Sequence, residues 1–370
     1  MRKSLGVSFL VVLTVSGLDL VSGQSVGFSH RVPRYTITDI GALPPGGWST
    51  GYGVNQSGTV AGSGGVGAGY HAVRFETGVL TDLGTWNGQE SSIATAINNG
   101  GTIVGSSLGD SFGQQHAVRW SGGSVLNLGS LPGTTASEAE DVNDAGQIVG
   151  SSIVSYFETR AFLWQDGAMT ALGTLGGTSS AAYGINASGQ IVGSAYVPSD
   201  VDHAFLWQNG EMTDLGMPPG WQSSLAVAIS DNGKVAGTGA DATGHFQAFL
   251  LVDGTWSLIG AIGSDTTSEA TDVNSAGYVV GFSTSGYLRD PGGRAAGRAA
   301  LTPSRESLAS RTNHAWLYVS GHQYDLQTRI PANSGWTLVR ADAINENGQI
   351  VGTGWAPDGF QHGFLLTPAQ

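Results

Sequence analysis

The sequence predicts an all-β protein, a seven-bladed β-propeller of four-stranded blades that is closed by an N-terminal strand completing the last blade. Three observations predict this fold. A motif of the form Asn-x-x-Gly, with Ser in place of Asn in one copy, is followed by a short apolar run and a second Gly and occurs seven times. Each copy begins a unit with four short β-rich runs, and the two ends of the chain carry complementary parts of one unit. The first position of the motif is occupied by Asn55, Asn98, Asn143, Asn186, Ser230, Asn274 and Asn345.

The composition fits one large β domain. The chain has 370 residues, of which 40% are hydrophobic and 59 are Gly, so it is long enough to bury a substantial core and contains enough Gly for many tight turns. It has no Cys. Stability must therefore come from packing in the core and not from disulfide bonds.

The N-terminal segment predicts export. Arg2 and Lys3 precede an apolar run over residues 5–18, and small residues follow at Ser22 and Gly23, which is the pattern of a signal peptide over residues 1–23. A membrane span needs about 20 apolar residues, so we expect cleavage and no membrane insertion afterwards. The mature protein is predicted to be secreted or periplasmic, with a linker over residues 24–34.

The net charge of the chain is −13. Since nucleic acids and anionic membranes repel a protein of this charge, we expect neither to be the partner. A protein or glycan ligand is compatible with it, and we expect a monomer.

The repeated motif predicts a hairpin. An Asn side chain can bond the backbone two residues further on, and the Gly accepts a positive φ, so Asn-x-x-Gly is typical of a tight turn between two strands. A variable stretch follows, then a third run such as "HAFLW" and a fourth such as "MTDLG". Each unit thus contains two tight turns on one face and one loose loop on the other.

Closure of the ring follows from the termini. The last unit stops after "HGFLLTPAQ" and lacks a fourth strand, while the segment from Tyr35 to Pro44 resembles the fourth strands of other units. That segment is predicted to pair with the last unit, which makes one domain over residues 35–370. An open β-solenoid, the alternative architecture, does not require complementary termini.

The sixth unit contains extra residues, over 288–313, that include five Arg residues in a stretch rich in Gly, Ala and Ser. A segment of this composition buries little apolar surface. We therefore predict a flexible basic insertion between the second and third strands of blade 6.

One His column begins the third strand of most units. Histidines at the same position in different blades are too far apart to share a metal ion, because all zinc–nitrogen distances must be about 2.1 Å. We therefore interpret the column as structural, with hydrogen bonds inside each unit, and predict no metal site there. Its members are His71, His116, His203, His314 and His362.

A ligand site is predicted where the repeat varies. Loops on a rigid scaffold carry function, and the positions three and five residues before the motif Asn approach the mouth of the central channel on the variable-loop face. Four carboxylates there could bind calcium, act as a general acid and base, or simply be solvated. Trp residues near the same face could bind a ligand or cap the blade interfaces. The candidate residues are Tyr52, Glu138, Glu140, Tyr183, Glu269, Arg340, Asp342, Trp221, Trp336 and Trp355.

No nucleophile motif, phosphate-binding loop, cofactor fingerprint or closely spaced set of metal ligands is present. We therefore predict a binding or interaction module without catalytic residues, cofactor or metal site. Calcium is the one ion that the carboxylates near the channel mouth could bind. The alternative is a secreted polysaccharide hydrolase or lyase with carboxylates at the channel mouth.

The segments "HAFLWQNGEMTDLG" and "INASGQIVG" resemble the HAF repeat family of extracellular proteins, which takes its name from the triplet at His203 to Phe205. The resemblance covers nearly all of the chain after the signal peptide. It implies export and a repeat architecture, but it brings no catalytic residue and no ligand.

Overall fold

Strand β1 (Tyr35–Asp39) pairs antiparallel with β28 (Gln361–Pro368), the last strand of the chain, so that Tyr35 lies opposite Pro368 and Asp39 opposite Phe364. This pairing completes the last of seven four-stranded antiparallel sheets in the computed structural model. The structure describes residues 32–44, 47–109, 114–155, 158–285 and 313–369. The seven-bladed propeller and its closure by the N-terminal strand are therefore confirmed.

Several predicted segments lie outside the described residues. They are the signal peptide over residues 1–23, residues 24–31 of the linker and residues 288–312 of the basic insertion. The described strands on either side of that insertion, β23 (Val279–Thr284) and β24 (His314–Val319), pair with each other as the second and third strands of blade 6.

In blades 1 to 6, the chain runs from the innermost strand outwards, while blade 7 has the N-terminal strand β1 as its outermost strand. The described residues contain no α-helix. Blade 1 comprises β2 (Ser49–Val54), β3 (Val60–Val66), β4 (Gly69–Glu76) and β5 (Val79–Gly84). Blade 2 comprises β6 (Ser92–Ile97), β7 (Ile103–Leu108), β8 (Gln115–Ser121) and β9 (Ser124–Gly129). Blade 3 comprises β10 (Ala136–Val142), β11 (Ile148–Ser155), β12 (Glu158–Gln165) and β13 (Ala168–Ala171). Blade 4 comprises β14 (Ser180–Ile185), β15 (Ile191–Tyr196), β16 (Asp202–Gln208) and β17 (Glu211–Gly216). Blade 5 comprises β18 (Leu225–Ile229), β19 (Val235–Ala240), β20 (Phe246–Val252) and β21 (Thr255–Ile259). Blade 6 comprises β22 (Thr267–Val273), β23, β24 and β25 (His322–Asp325), and blade 7 comprises β26 (Thr337–Ile344), β27 (Ile350–Trp355), β28 and β1.

The repeated motif forms the predicted turn between the innermost and second strands. In blade 1, the Gly58 N–H donates to the Asn55 carbonyl oxygen at 3.0 Å, and Gly58 has a φ of 81°. The Asn55 side-chain oxygen accepts from the Thr59 N–H at 2.9 Å. The motif Asn therefore closes its own turn, as its side-chain chemistry predicts.

The second Gly of the motif is required by a close approach between strands. Every innermost strand has a register shift around the residue three before the motif Asn, which is a β-bulge. In blade 1, a Cβ added to Gly62 would lie 1.9 Å from the carbonyl oxygen of Thr50, and the equivalent Gly of each other blade meets the equivalent oxygen at 2.0 to 2.1 Å. Only Gly fits at this position.

Four of the five residues in the His column bond an Asp carboxylate of their own blade, which supports the structural interpretation, while His116 packs edge-on against Trp86. His71 bonds Asp82 at 2.8 Å, His203 bonds Asp214 at 2.9 Å, and in the closing blade His362 bonds Asp39 of the N-terminal strand at 3.0 Å. Each Asp also accepts the N–H of the Gly two residues later. In blades 1, 4 and 7, a His–Asp hydrogen bond therefore joins the third strand to the "DLG" segment or its equivalent. In blade 6, His314 bonds Asp265 before the innermost strand instead, and Asp325 accepts the Gln327 N–H.

Candidate functional site

The two faces of the propeller differ in how their polar groups are used. The turn face carries the turns of the repeated motif, and the loop face carries the loops between second and third strands and the passages between blades. The innermost strands run from the loop face to the turn face around the central channel.

The turn face is joined by a ring of hydrogen bonds between blades, the asparagine ring. The side-chain N–H group of each motif Asn donates to the backbone carbonyl oxygen of the motif residue in the next blade, at 2.8 to 3.3 Å. The donor and acceptor pairs are Asn55 to Asn98, Asn98 to Asn143, Asn143 to Asn186, Asn186 to Ser230, Asn274 to Asn345, and Asn345 to Asn55.

Blade 5 contains the one break in this ring, because Ser230 has no side-chain N–H group to donate. Asn232 and Lys234 instead donate to the carbonyl oxygen of Ser275 in blade 6, at 2.8 and 2.9 Å. The link between blades 5 and 6 is thus kept with different donors.

The channel opening at the turn face is a polar cavity of about 160 Å³. Three carboxylates border it, but each accepts a backbone N–H from the preceding blade: Asp144 from Asn99, Asp231 from Ala187 and Glu346 from Ser275. These acidic groups are used to hold neighbouring blades together.

On the loop face, the predicted site residues of the innermost strands come from two positions. Tyr52, Glu140, Tyr183 and Asp342 are the bulged residues of their strands, and all four are buried. Glu138, Glu269 and Arg340 stand two residues earlier and are half-buried. We refer to these seven residues as the collar.

The part of the collar in blades 6, 7 and 1 is a charged network. The Arg340 Nε donates to an Asp342 carboxylate oxygen at 2.5 Å, and the Arg340 guanidinium lies 4.7 Å from the centroid of the Phe282 ring. Glu269 lies directly opposite Phe282 in the pairing of β22 with β23. Arg340 of blade 7 therefore reaches across to the edge of blade 6.

The titration of these groups reflects their proximity. Burial would lower the pKa of Arg340, but the charge and hydrogen bond of Asp342, together with the charges of Tyr52 and Glu269, raise it. Burial raises the pKa of the Tyr52 hydroxyl, and the Asp342 charge adds to that effect. Arg340 therefore stays positively charged over the physiological range.

The part of the collar in blade 3 is acidic. Burial raises the pKa of the Glu138 carboxyl to about 7, because the charged form loses hydration. Glu140, two residues on, is only 1% exposed. In the neighbouring blade 4, the same two positions are held by Ala181 and Tyr183.

Three predicted Trp residues lie outside the collar, near the loop face. Trp336 is buried against Phe364, with ring centroids 6.2 Å apart, and Trp221 is half-buried against Phe249 at 6.4 Å. Trp355 is half-buried at the end of β27. Packing inside the blade accounts for Trp221 and Trp336, and a ligand role for any of the three stays a prediction.

The carboxylates of the collar do not form a common metal site. Within the part of the chain that the structure describes, no three His, Cys, Asp or Glu side chains come close enough to hold one ion. The calcium hypothesis therefore gains no support from the arrangement of these side chains.

Phe282 is the site residue that sequence reasoning missed. Its position follows the second Gly of the motif and holds Ser or Thr in the other six blades. The signal was the sequence "VVGF" in place of "IVGS" or a relative, but its meaning depends on Arg340, which is 58 residues away.

The described part of the chain includes no helix with the length and apolarity that a membrane span requires. No match was found among curated proteins.

Solved structures similar to this chain are propellers or contain them. The β-propeller domain of the Trilobed protease from Pyrococcus furiosus is 8% identical, with a TM-score of 0.51, over 90% of this chain and 95% of that one. The WD40 β-propeller domain of Doa1 is 12% identical, with a TM-score of 0.43, over 90% and 93%. A putative TolB from Agrobacterium tumefaciens is 14% identical, with a TM-score of 0.43, over 72% and 87%. At these identities the likeness concerns the fold alone.

One family model matches the sequence, over residues 157–358, and its description is "Protein of unknown function (DUF3466)". The match runs from the third strand of blade 3 to the start of the last loop of blade 7 and covers more than half of the chain. The chain therefore belongs to the DUF3466 family.

Proposed function

We propose that this protein is an exported β-propeller that binds a glycan or protein ligand at the collar on its loop face. The observation that carries the proposal is a comparison between blades. At the position of Glu138, Glu269 and Arg340, blades 2, 4 and 5 have Ile93, Ala181 and Leu225. The scaffold accepts apolar side chains there, so the fold itself does not require the charges.

Charged groups in such a position need another explanation. Removing a charge from water is costly unless it is well paired, and Glu138 shows this cost in its raised pKa. Burial therefore disfavours the charged form of Glu138, whereas Arg340 keeps its charge because Asp342 lies beside it. Proteins commonly retain buried charges of this kind at functional sites, although they lower stability.

The collar is also well ordered for binding. Arg340 is fixed by Asp342 on one side and by the Phe282 ring on the other, so little side-chain freedom remains to be lost when a ligand arrives. The turn face offers no equivalent, because its polar groups link the blades to one another.

Export is supported by the signal-peptide pattern of residues 1–23 and by the resemblance to the HAF repeat family. A C-terminal tag on the full chain, followed through cell fractionation, tests it. Recovery of the uncleaved chain in the cytoplasm would contradict this part of the proposal.

The binding proposal is tested by screening the mature protein against glycan arrays, cell-wall fractions and extracellular protein extracts. Ligands that are found are then measured with Glu138→Gln, Asp342→Asn and the control Glu211→Gln, which removes one negative charge from an exposed position on the outer strand of blade 4. We expect the two collar variants to lose at least about tenfold in affinity and the control to bind normally. Equal binding by all three would show that the ligand sits elsewhere.

A second candidate function is cleavage of a polysaccharide, by a hydrolase or a lyase reaction. The observation in its favour is the pKa of Glu138, which at about 7 suits a general acid. Product release from any polysaccharide found in the screen, and its loss in Glu138→Gln, would distinguish this activity from binding alone.

A further inference from the structure

The repeat allows one part of the collar to be compared with another. In blades 6 and 7, Glu269 and Phe282 lie opposite each other on neighbouring strands, and Arg340 of the next blade places its guanidinium over Phe282. Asp342, two residues after Arg340, accepts a hydrogen bond from it. A guanidinium is thus held between adjacent blades, with one carboxylate from each blade near it.

Blades 3 and 4 repeat this framework with different residues. Glu138 lies opposite Ser151 in the pairing of β10 with β11, as Glu269 lies opposite Phe282. Ala181 of blade 4 occupies the position of Arg340, and Tyr183 occupies that of Asp342. The carboxylate is therefore repeated, whereas the guanidinium that accompanies it in blades 6 and 7 is replaced by a methyl group.

No described side chain supplies the corresponding positive charge. No hydrogen bond or ion pair from the described residues reaches the Glu138 carboxylate, and the cause of its raised pKa is burial. The other described Arg and Lys side chains have partners elsewhere: Arg34 with Thr328, Arg74 with Glu76, Arg119 with Trp164, Arg160 with Glu158, Lys234 with Ser275 and Arg329 with Tyr324.

We infer that the collar between Glu138 and Ala181 binds the guanidinium of an Arg side chain from a polypeptide ligand. The inference rests on the proposed function and gives it a ligand class. The bound group takes the place that Arg340 holds in blade 7, with Glu138 as its carboxylate and Ser151 beneath it. Ala181 is half-buried and short, so its side chain occupies little of the volume that the Arg340 side chain takes up in blade 7.

A guanidinium fits better than an ammonium for two reasons. It is planar and pairs with a carboxylate through directed N–H groups, and it is less strongly hydrated, so entering a partly buried site costs less. Arg340 shows that this scaffold already holds one in the equivalent position.

The first test supplies the Arg from the chain itself. Ala181→Arg is expected to reproduce the blade 7 arrangement and to raise the melting temperature at pH 8 by about 2 °C. In a Glu138→Gln background, the same substitution is expected to give no increase, because the carboxylate partner is absent. An equal effect of Ala181→Arg in both backgrounds would overturn the inference, whatever its sign.

The second test uses small probes on the mature protein. N-acetyl-arginine amide is expected to bind, as measured by NMR titration, and N-acetyl-citrulline amide, its neutral isostere, is expected to bind at least about tenfold more weakly. Glu138→Gln and Ala181→Arg are each expected to remove the preference for arginine, while Glu211→Gln keeps it.

A third probe separates the source of the cation. Glucosamine carries an ammonium on a sugar, and binding of glucosamine in preference to N-acetyl-arginine amide would overturn the polypeptide assignment. If neither probe binds but the collar variants still lose a ligand found in the screen, the guanidinium inference fails and the proposed function stands. If the collar variants also bind every screened ligand normally, the proposed function fails as well.

Discussion

The side-chain N–H group of Asn345 donates to the backbone carbonyl oxygen of Asn55 at 2.8 Å, although 290 residues separate them in the sequence. This hydrogen bond joins the last blade to the first and closes the asparagine ring. The same Asn345 accepts the N–H of Gln349 in its own turn at 2.9 Å. One residue type therefore serves both the hairpin and the ring.

The ring makes the motif Asn a stabilising residue beyond its own turn. Asn345→Ser keeps an oxygen for the turn, as Ser230 does in blade 5, where its hydroxyl accepts the Lys234 N–H, but it removes the donor to Asn55. We expect a loss of about 1–2 kcal/mol in the free energy of unfolding, because a buried hydrogen bond is broken. Urea denaturation measures the free energy of unfolding. Unchanged stability would show that the asparagine ring contributes nothing to the contact between blades 7 and 1.

The converse substitution is Ser230→Asn in blade 5. It introduces the missing donor opposite Asn274 and is expected to add up to about 1 kcal/mol to the free energy of unfolding. Because Asn232 and Lys234 already bridge to Ser275, the gain should be larger in an Asn232→Ala background. An equal gain in stability in both backgrounds would show that the Asn232 and Lys234 bonds to Ser275 do not replace the missing bond of the asparagine ring.

The clasp between the N-terminal strand and blade 7 is expected to depend on pH. The hydrogen bond to Asp39 raises the pKa of His362 although burial opposes it. Burial would raise the pKa of Asp39, but hydrogen bonds from His362 and from the Gly41 N–H hold it below its usual value. The stabilisation from His362 is complete below its unfolded pKa of about 6.5 and is lost as pH rises through the higher folded value.

The contribution of Asp39 has the opposite sign. It is complete above the unfolded pKa of about 3.9 and is lost as pH falls through the lowered folded value. Asp39→Asn removes the charge but can still accept the Gly41 N–H, as Asn127 accepts that of Gly129. We expect its melting temperature to fall furthest below the wild type near pH 5 and to approach it above pH 8. A deficit that does not change with pH would contradict this account of the clasp.

Ionisation of Glu138 is expected to weaken the fold. Its pKa is about 7 in the folded protein, because of burial, and about 4.3 in an unfolded chain. A carboxyl with a raised folded pKa loses its stabilisation as pH rises from the unfolded value through the folded one. Glu138→Gln cannot ionise, so its melting temperature relative to the wild type should rise from pH 4 to pH 8.

Glu211→Gln is the matched control for that experiment. Glu211 is exposed on the outer strand of blade 4, and its variant should show no comparable rise across the same pH range. If the melting-temperature difference between Glu138→Gln and the wild type is as independent of pH as that of the control, then burial does not raise the pKa of the Glu138 carboxyl.

The second Gly of the motif should not tolerate a side chain. Gly62→Ala places a Cβ 1.9 Å from the Thr50 carbonyl oxygen, in backbone that cannot move away easily. We expect a loss of at least about 2 kcal/mol in the free energy of unfolding. Gly260→Ala, whose added Cβ meets nothing within 4 Å, should change stability by less than about 0.5 kcal/mol. Similar losses in both variants would show that the close approach is not the reason for Gly62.

The sequence by itself determined the blade count, the four strands of each blade and the strand that closes the ring. These features follow from a regular spacing of the motif and from turn chemistry that acts over four or five residues, such as the Asn55 and Gly58 turn. The incomplete last unit and the extra strand at Tyr35 were likewise visible in the order of residues. The sequence also singled out the residues of the collar, because they occupy the two variable positions of the innermost strands.

Only the tertiary structure decided which of these residues meet. The Asn345 bond to Asn55, the His362 pair with Asp39 and the stacking of Arg340 on Phe282 join residues that lie 58 to 323 positions apart. No local rule fixes such contacts, since they form when the ring closes and adjacent blades come into register. The bulge at Tyr52 and its equivalents lies in the pairing of the innermost strand with the second strand, so the geometry of the collar could be seen only in the folded protein.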